Sequence, residues 1–203
     1  KLNQFVRLWE ELQSIQLTDI KDKILWTLTA NRKYSAVSAY DAHFVARINK
    51  PGLAQVWRGK MEGKVKFYLW LLLQNRNWTA DRLQARGLPH NDLRCLCDQE
   101  KETAEHITLA CCFAKEVWLK VSGSYPAASQ AALGATSILD WWSKVRSLKN
   151  RGNATDECTM AVYIAWHLWI ERNNRVFKAS SSSTSTVLLL ARDVIGLLKE
   201  AGE

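Results

Sequence analysis

One short segment concentrates the residues best suited to bind a metal ion. Four of the five cysteines lie within residues 95–112, together with a histidine. The order is Cys95-x-Cys97, eight residues, His106, four residues and Cys111. Thiolates and imidazole are ligands that Zn²⁺ prefers, and three sulfurs with one nitrogen complete a tetrahedral shell. Such a shell has no open position, so the pattern predicts one structural zinc site and not a catalytic one.

Other interpretations of these residues stay open. Cys112 follows Cys111 directly and is an alternative ligand to it. Cysteines are also small apolar residues that are often buried, and the histidine would then be an ordinary polar neighbour. A disulfide framework fits less well, because it would spread its pairs more widely and the count of five is odd.

A basic stretch precedes the cysteines. Between residues 55 and 94 there are eight Lys or Arg and three Asp or Glu, in a chain of net charge +8. Basic residues neutralise phosphates, and exposed rings stack on unpaired bases. We therefore predict a nucleic-acid-binding patch, while we expect Trp57 and Trp70 to lie in the core. The candidate residues are Arg58, Lys60, Lys64, Lys66, Arg76, Arg82, Arg86 and Arg94.

Sequence signatures of catalysis are missing. The chain has no Asp-Asp pair, no glycine-rich phosphate loop, no Gly-x-Ser-x-Gly elbow and no His-Glu-x-x-His helix. Its longest apolar runs, such as residues 67–73, are far shorter than the roughly 20 residues of a membrane span. We expect an intracellular, non-catalytic protein without a membrane partner or a small-molecule substrate. Because residue 1 is Lys, we interpret the chain as an excised or processed piece.

Helical periodicity dominates the chain and predicts a mainly α fold. The segment 63–75, apolar almost all round, should be central to the core. In the longest helix we expect Tyr163, Trp166, Ile170 and Phe177 on the buried stripe, and we expect residues 123–134 to form a loop. Helices are predicted over residues 2–17, 36–48, 54–59, 63–75, from a Thr79 cap to Gly87, and over 105–110, 113–121, 137–148, 156–177 and 187–201.

Two features should interrupt the helices. Residues 24–29 alternate apolar and polar side chains, Asn31 and Arg32 mark a turn, and residues 33–35 can return as a second strand. This pattern predicts a small β-hairpin near the N-terminus. The cysteine segment should form an inserted zinc-knuckle-like loop.

Ordered sequence blocks surround the cysteines on both sides. Residues 102–106 are Glu-Thr-Ala-Glu-His, Cys111 follows after four residues, and residues 113–118 are Phe-Ala-Lys-Glu-Val-Trp. Upstream stand Tyr-Ser-Ala-Val-Ser-Ala-Tyr (34–40) and Lys-Val-Lys-Phe-Tyr-Leu-Trp (64–70); downstream, residues 166–177 follow Trp-x-x-Trp-x-Glu-Arg-Asn-x-Arg-x-Phe. From about residue 22 to 178, these blocks resemble the zinc-binding domain of plant LINE-type (non-LTR) reverse transcriptases and the segment that follows it.

The resemblance implies an accessory domain that holds template RNA or target DNA beside the polymerase. It implies one structural Zn²⁺, RNA or DNA and the reverse transcriptase domain of the same polyprotein as partners, and a location in nucleus and cytoplasm. Arg94 stands where the family has its first cysteine, three residues before Cys97. Either Cys95 replaces that ligand, or the copy is a degenerate, metal-free remnant. A third alternative is a protein-interaction module built on the Trp-rich helices.

The resemblance also suggests the domain organisation. We expect an N-terminal helix at residues 1–21 and a reverse-transcriptase zinc-binding-like domain at 22–122. A helical extension packed on it should occupy residues 123–178, and a Ser-rich linker with a terminal helix should occupy residues 179–203.

Overall fold

The computed structural model describes residues 2–13, 25–39, 52–58, 61–89, 96–97, 101–148 and 154–200. The chain divides into two compact units, Lys1–Asn49 and Lys50–Glu203. In the first unit, helix α1 (Leu2–Gln13) is amphipathic, and Phe5, Leu8, Trp9 and Leu12 on it are exposed. Within the described parts of both units, no helix combines the length and the apolar character that crossing a membrane requires.

The predicted β-hairpin is not supported, because the described residues 25–39 contain no strand. A turn forms instead: the Trp26 N–H donates to the Arg32 carbonyl at 3.1 Å, and the Arg32 N–H donates to the Thr29 carbonyl at 3.0 Å. The Asn31 Oδ1 accepts from the Thr29 hydroxyl and from the Lys33 N–H at 2.9 and 3.1 Å. These local side-chain bonds satisfy groups that a strand ladder would use, so the turn closes without cross-strand pairing.

Ser35 begins the next helix, as expected. The Ser38 N–H donates to the Ser35 Oγ at 3.1 Å, and the Ser35 N–H donates to the Ser38 Oγ at the same distance. This reciprocal arrangement satisfies two backbone donors at the helix start. Residues 36–39 are helical, and the rest of the predicted helix lies outside the described residues.

The second unit is a helical assembly, which confirms the mainly α prediction. Its described helices are α2 (Leu53–Arg58), α3 (Gly63–Leu73), α4 (Ala80–Gln84), α5 (Cys112–Val121), α6 (Pro126–Leu133), α7 (Ile138–Ser147), α8 (Ala154–Lys178) and α9 (Thr184–Glu200), with a π-helical turn at His106–Ala110. The predicted loop at 123–134 is wrong, because α6 occupies most of it. Pro126 stands at the start of α6 and alanines, the best helix formers, follow.

The core of this unit surrounds α8. Trp118 of α5, Trp141 of α7 and Tyr163 of α8 are almost completely buried. The Trp118 indole N–H donates to the Thr108 carbonyl at 2.9 Å, and the Ser129 hydroxyl donates to the Trp118 carbonyl at 2.7 Å. These bonds connect the π-helical turn, α5 and α6 inside one core.

The terminal helix α9 belongs to the same core. It packs against α8 and α5 and buries Val187 and Ile195. The Lys120 ammonium of α5 donates to the Thr184 hydroxyl at 2.7 Å, at the first residue of α9. The Ser182 N–H, in the connection between α8 and α9, donates to the buried Glu171 carboxylate at 2.8 Å. The four-segment domain division remains a prediction.

Two expectations about buried aromatic residues are wrong. Trp57 is 50% exposed at the end of α2, and Phe177 is 74% exposed in the last turn of α8. Residue Phe67 of the supposedly central α3 is 53% exposed, although Val65, Tyr68 and Leu72 of that helix are buried. Helix α3 therefore buries one face and presents the other to solvent.

Candidate metal centre and basic surface

Three predicted ligands come together in the second unit. The donor atoms of Cys97, His106 and Cys111 all lie within 4.8 Å of one another. The Cys97 Sγ and the His106 Nε2 are 3.0 Å apart. Cys111 is fully buried, His106 is 8% exposed and Cys97 is half-buried. The cluster is thus shielded from solvent on most sides.

A π-helical turn places two of these ligands. The Cys111 N–H donates to the His106 carbonyl at 2.8 Å, an i to i+5 bond that folds the chain back on itself. The His106 N–H donates to the Thr103 hydroxyl at 2.9 Å, which anchors the start of the turn. Helix α5 then begins at Cys112, directly after the second ligand. Such π-turns often occur at functional sites.

The environment of Cys111 opposes an uncompensated negative charge. Burial raises the pKa of the Cys111 thiol to about 12, while backbone N–H groups of Ala114 and Phe113 at the start of α5 act in the opposite direction. Cys97 lies close by and raises the same pKa further. A cation is the partner that would make two adjacent thiolates stable here, because metal ligation deprotonates a coordinating thiol.

The donor set and its spacing fit Zn²⁺. With Zn–S distances of about 2.3 Å and Zn–N distances of about 2.0 Å, tetrahedral ligand atoms stand roughly 3.5–3.8 Å apart. The 3.0 Å separation of the Cys97 Sγ and the His106 Nε2 and the 4.8 Å limit of the cluster bracket this range. Small side-chain rotations would therefore bring the three donors onto one tetrahedron.

The other candidate ligands are placed differently. Cys95 and Arg94 lie outside the described residues. Cys112 is described, and as the first residue of α5 it is exposed and is not part of the cluster. The geometry thus brings Cys111, and not Cys112, toward Cys97 and His106.

A buried ion pair holds the start of the segment that leads to His106, and the sequence analysis did not predict it. The Arg172 Nε of α8 donates to the Glu102 Oε2 at 3.0 Å, and the Arg172 Nη2 donates to the Glu102 Oε1. Both side chains are about 5% exposed. The Glu102 Oε1 also accepts the Ala80 N–H at 3.0 Å, at the first residue of α4. Glu102 therefore joins α4, α8 and the segment that leads to His106.

In the sequence, Glu102 and Arg172 are related only by lying in two of the ordered blocks that carry the family resemblance. Glu102 begins the Glu-Thr-Ala-Glu-His segment, and Arg172 lies in the Trp-rich segment 166–177. Seventy residues separate the two partners, so no local spacing rule connects them.

The residues of the predicted basic patch are spread over α2, α3, α4 and the segments between them. Lys64 and Lys66 belong to its first half, and Arg58 ends the preceding helix. Arg76 follows the C-terminal end of α3. The helix rises about 14 Å between Lys64 and Leu73, so Arg76 lies at the end of α3 opposite to Lys64. Arg82 and Arg86 lie in or just after α4, while Lys60 and Arg94 lie outside the described residues.

Several of these basic groups have local partners. Lys64 pairs with the Glu62 carboxylate at 2.7 Å on the surface, and the Lys66 ammonium donates to the Trp57 carbonyl at 3.4 Å. The Arg86 guanidinium lies 4.4 Å from the ring centroid of Trp78, which is 50% exposed. Arg86 is itself exposed.

Comparison with known proteins shows which family part of this chain is similar to. Residues 34–118 match the family model described as zinc-binding in reverse transcriptase. A protein of Arabidopsis thaliana, provisionally named a ribonuclease H protein, is 23% identical over 176 residues. The match covers 82% of this chain and 28% of the Arabidopsis protein, so the chain spans less than a third of that relative. No solved structure matches the chain significantly.

The matched residues contain Cys97, His106 and Cys111 and end at Trp118, the buried centre of α5. They include every candidate metal ligand and every candidate basic residue named above, whereas Arg172 lies beyond them. Residues 34–118 of this chain are therefore similar to the zinc-binding domains of reverse transcriptases.

Proposed function

We propose that the chain is a non-catalytic, zinc-binding accessory region of a LINE-type retroelement protein, and that it holds nucleic acid beside the catalytic domains. The observation that carries the proposal is the convergence of Cys97, His106 and Cys111 in a segment of the matching family. The partners we assign are template RNA or target DNA and the reverse transcriptase domain of the same polypeptide. A place in nucleus and cytoplasm belongs to the same proposal.

The proposed site binds one structural Zn²⁺ through Cys95, Cys97, His106 and Cys111. Cys95 takes the position that the family's first cysteine holds, since Arg94 cannot supply a thiolate. The ion would tie the segment around Cys97 to the π-helical turn and to the start of α5. A complete shell would stabilise these elements and would offer no position for a substrate.

Nucleic-acid binding is supported by charge. The net charge of +8 favours polyanionic partners, and the exposed Arg58, Lys64, Arg76 and Arg86 are placed where phosphates can reach them. The ribonuclease H name belongs to the Arabidopsis relative. We propose that polymerase and nuclease activities of the full-length protein reside outside this chain.

Cobalt substitution tests the ligand assignment residue by residue. Co²⁺ bound by thiolates absorbs visible light, and each lost sulfur changes that absorption. We expect Cys111→Ser and Cys95→Ser to weaken the absorption and the affinity, and Cys112→Ser to leave both unchanged. Equal effects of Cys111→Ser and Cys112→Ser would contradict the proposed ligand set.

Salt dependence separates nucleic-acid binding from a protein-docking role. Phosphate contacts release counterions, so affinity for an oligonucleotide should fall steeply as salt rises. The double variant Lys64→Glu/Lys66→Glu should weaken binding at low salt and flatten the salt dependence. An affinity that ignores both salt and charge reversal would favour the protein-interaction alternative.

A further inference from the structure

The solvent-facing side of α3 carries large aromatic rings. Phe67 is 53% exposed, and its ring stacks on that of Trp70 with centroids 6.0 Å apart and an interplanar angle of 18°. The two residues are three positions apart, so they are neighbours on one helical face. Trp70 also packs against the core.

A third ring lies at the end of the neighbouring helix. Trp57 of α2 is 50% exposed, and its backbone carbonyl accepts a hydrogen bond from the Lys66 ammonium at 3.4 Å. This bond ties the end of α2 to the first half of α3. We call Trp57, Phe67 and Trp70, the exposed or half-buried rings of these two connected helices, the aromatic shelf.

Three cationic residues, Arg58, Lys64 and Lys66, accompany the aromatic shelf on α2 and α3. Arg58 follows Trp57 directly, the Lys66 ammonium reaches the Trp57 carbonyl, and Lys64 is three positions before Phe67 on the same helical side. Glu62 is the acid in this neighbourhood, and it is already paired with Lys64. Flat apolar faces together with negative charge would complement this surface. Unpaired nucleic acid has both, because each base has a π-face and each linkage a phosphate.

We propose that the aromatic shelf binds an unpaired strand of RNA or DNA. Bases stack on Phe67 and Trp57, and phosphates lie against Arg58, Lys64 and Lys66. A duplex is a poor ligand for the rings, because its bases already stack on one another. This inference rests on the proposed nucleic-acid function and narrows its ligand to unpaired strands.

The test measures how tightly the parent protein and variants without an aromatic ring bind single-stranded and double-stranded probes. Fluorescence anisotropy would measure the binding of labelled oligo-U and oligo-dT of about 10 nucleotides, within the usual site size of roughly 4–16 nucleotides. A duplex of equal length serves as the third probe. Phe67→Ala and Trp57→Ala should each weaken single-strand binding about 5-fold or more and leave duplex binding unchanged.

Two further variants isolate the role of the ring. Phe67→Leu keeps apolar surface without a ring and should bind as weakly as Phe67→Ala, whereas Phe67→Trp should retain or strengthen binding. Leu119→Ala removes a similarly exposed apolar side chain from α5 and should have no effect. The relative affinities for oligo-U and oligo-dT then identify whether RNA or DNA is the source of the strand.

Two results would overturn the inference. If the ring variants bind single strands like the parent while Lys64→Glu/Lys66→Glu loses affinity, the aromatic shelf is not the site and the nucleic-acid function stands. If the parent protein binds none of the three probes at low salt, the inference and the nucleic-acid part of the proposed function fail together.

Discussion

Loss of the buried Arg172 guanidinium should destabilise the second unit more than loss of a surface charge. Arg172→Met keeps an unbranched apolar side chain of similar length but leaves the Glu102 carboxylate without its cation. Removing one partner of a buried ion pair typically costs about 3–5 kcal/mol. The Ala80 N–H, which donates to Glu102 at 3.0 Å, is retained in the variant, so the lower end of that range is expected.

The assay is urea unfolding monitored by tryptophan fluorescence, with parent and variants in identical metal conditions. For a urea m-value of about 2 kcal/mol/M, a loss of about 3 kcal/mol lowers the unfolding midpoint by about 1.5 M. Lys64→Met is the control, because it breaks the Glu62 pair at the surface, where both side chains are substantially exposed. It should leave the midpoint unchanged, since exposed ion pairs contribute little.

The double variant Glu102→Gln/Arg172→Met distinguishes a stranded charge from lost packing. The introduced glutamine is neutral and its amide oxygen can still accept the Ala80 N–H, so most of the stability lost in Arg172→Met should return. A double variant as unstable as Arg172→Met would refute the reasoning, because the carboxylate would then not be the source of the penalty. So would equal midpoints for Arg172→Met and Lys64→Met.

Two more predictions concern buried polar groups around α8. Burial, with a smaller effect from nearby Lys64, lowers the pKa of His167 below its ordinary 6.5. The unfolded chain therefore binds a proton more readily than the folded one, so this contribution to stability is complete above pH of about 6.5 and is lost as the pH falls through the folded-state pKa. Urea midpoints from pH 8 to 5 should fall less for His167→Leu than for the parent, and parallel curves would contradict this assignment. Tyr68 donates its hydroxyl to the Ala165 carbonyl at 2.9 Å inside the core, so Tyr68→Phe should lower the free energy of unfolding by about 1 kcal/mol. A Tyr68→Phe variant as stable as the parent would show that this bond contributes nothing.

Much of the fold follows from local patterns. Helical periodicity placed α3, α5, α7, α8 and α9 near their observed positions, since an apolar stripe and a capping residue act within a few turns. The side chain of Ser137, for example, accepts the Asp140 N–H at 3.1 Å and begins α7. The proposed hairpin failed where the Asn31 side chain satisfied the turn locally. The alternation of apolar and polar residues in 24–29 does not show that side-chain bonds in the turn will replace strand pairing.

Only part of the candidate site could be predicted from the sequence. Ligand chemistry and spacing predicted Cys97, His106 and Cys111, and the fold brings these three side chains together. Arg172 and Glu102 were missed as partners, since seventy residues separate them and only the packing of α8 brings them together. The exposure of Trp57 and Phe67 was missed for a related reason: apolarity predicts burial but does not say which face of a helix finds a neighbour.

Zinc content per chain tests the central claim most directly. The protein would be purified without chelator, and its zinc would be measured by elemental analysis together with the matched variants His106→Ala, Cys111→Ser and Cys112→Ser. We predict one zinc per chain in the parent and in Cys112→Ser, and loss of the metal in His106→Ala and Cys111→Ser. A folded parent without zinc, or zinc retained in both His106→Ala and Cys111→Ser, would contradict the proposed metal centre.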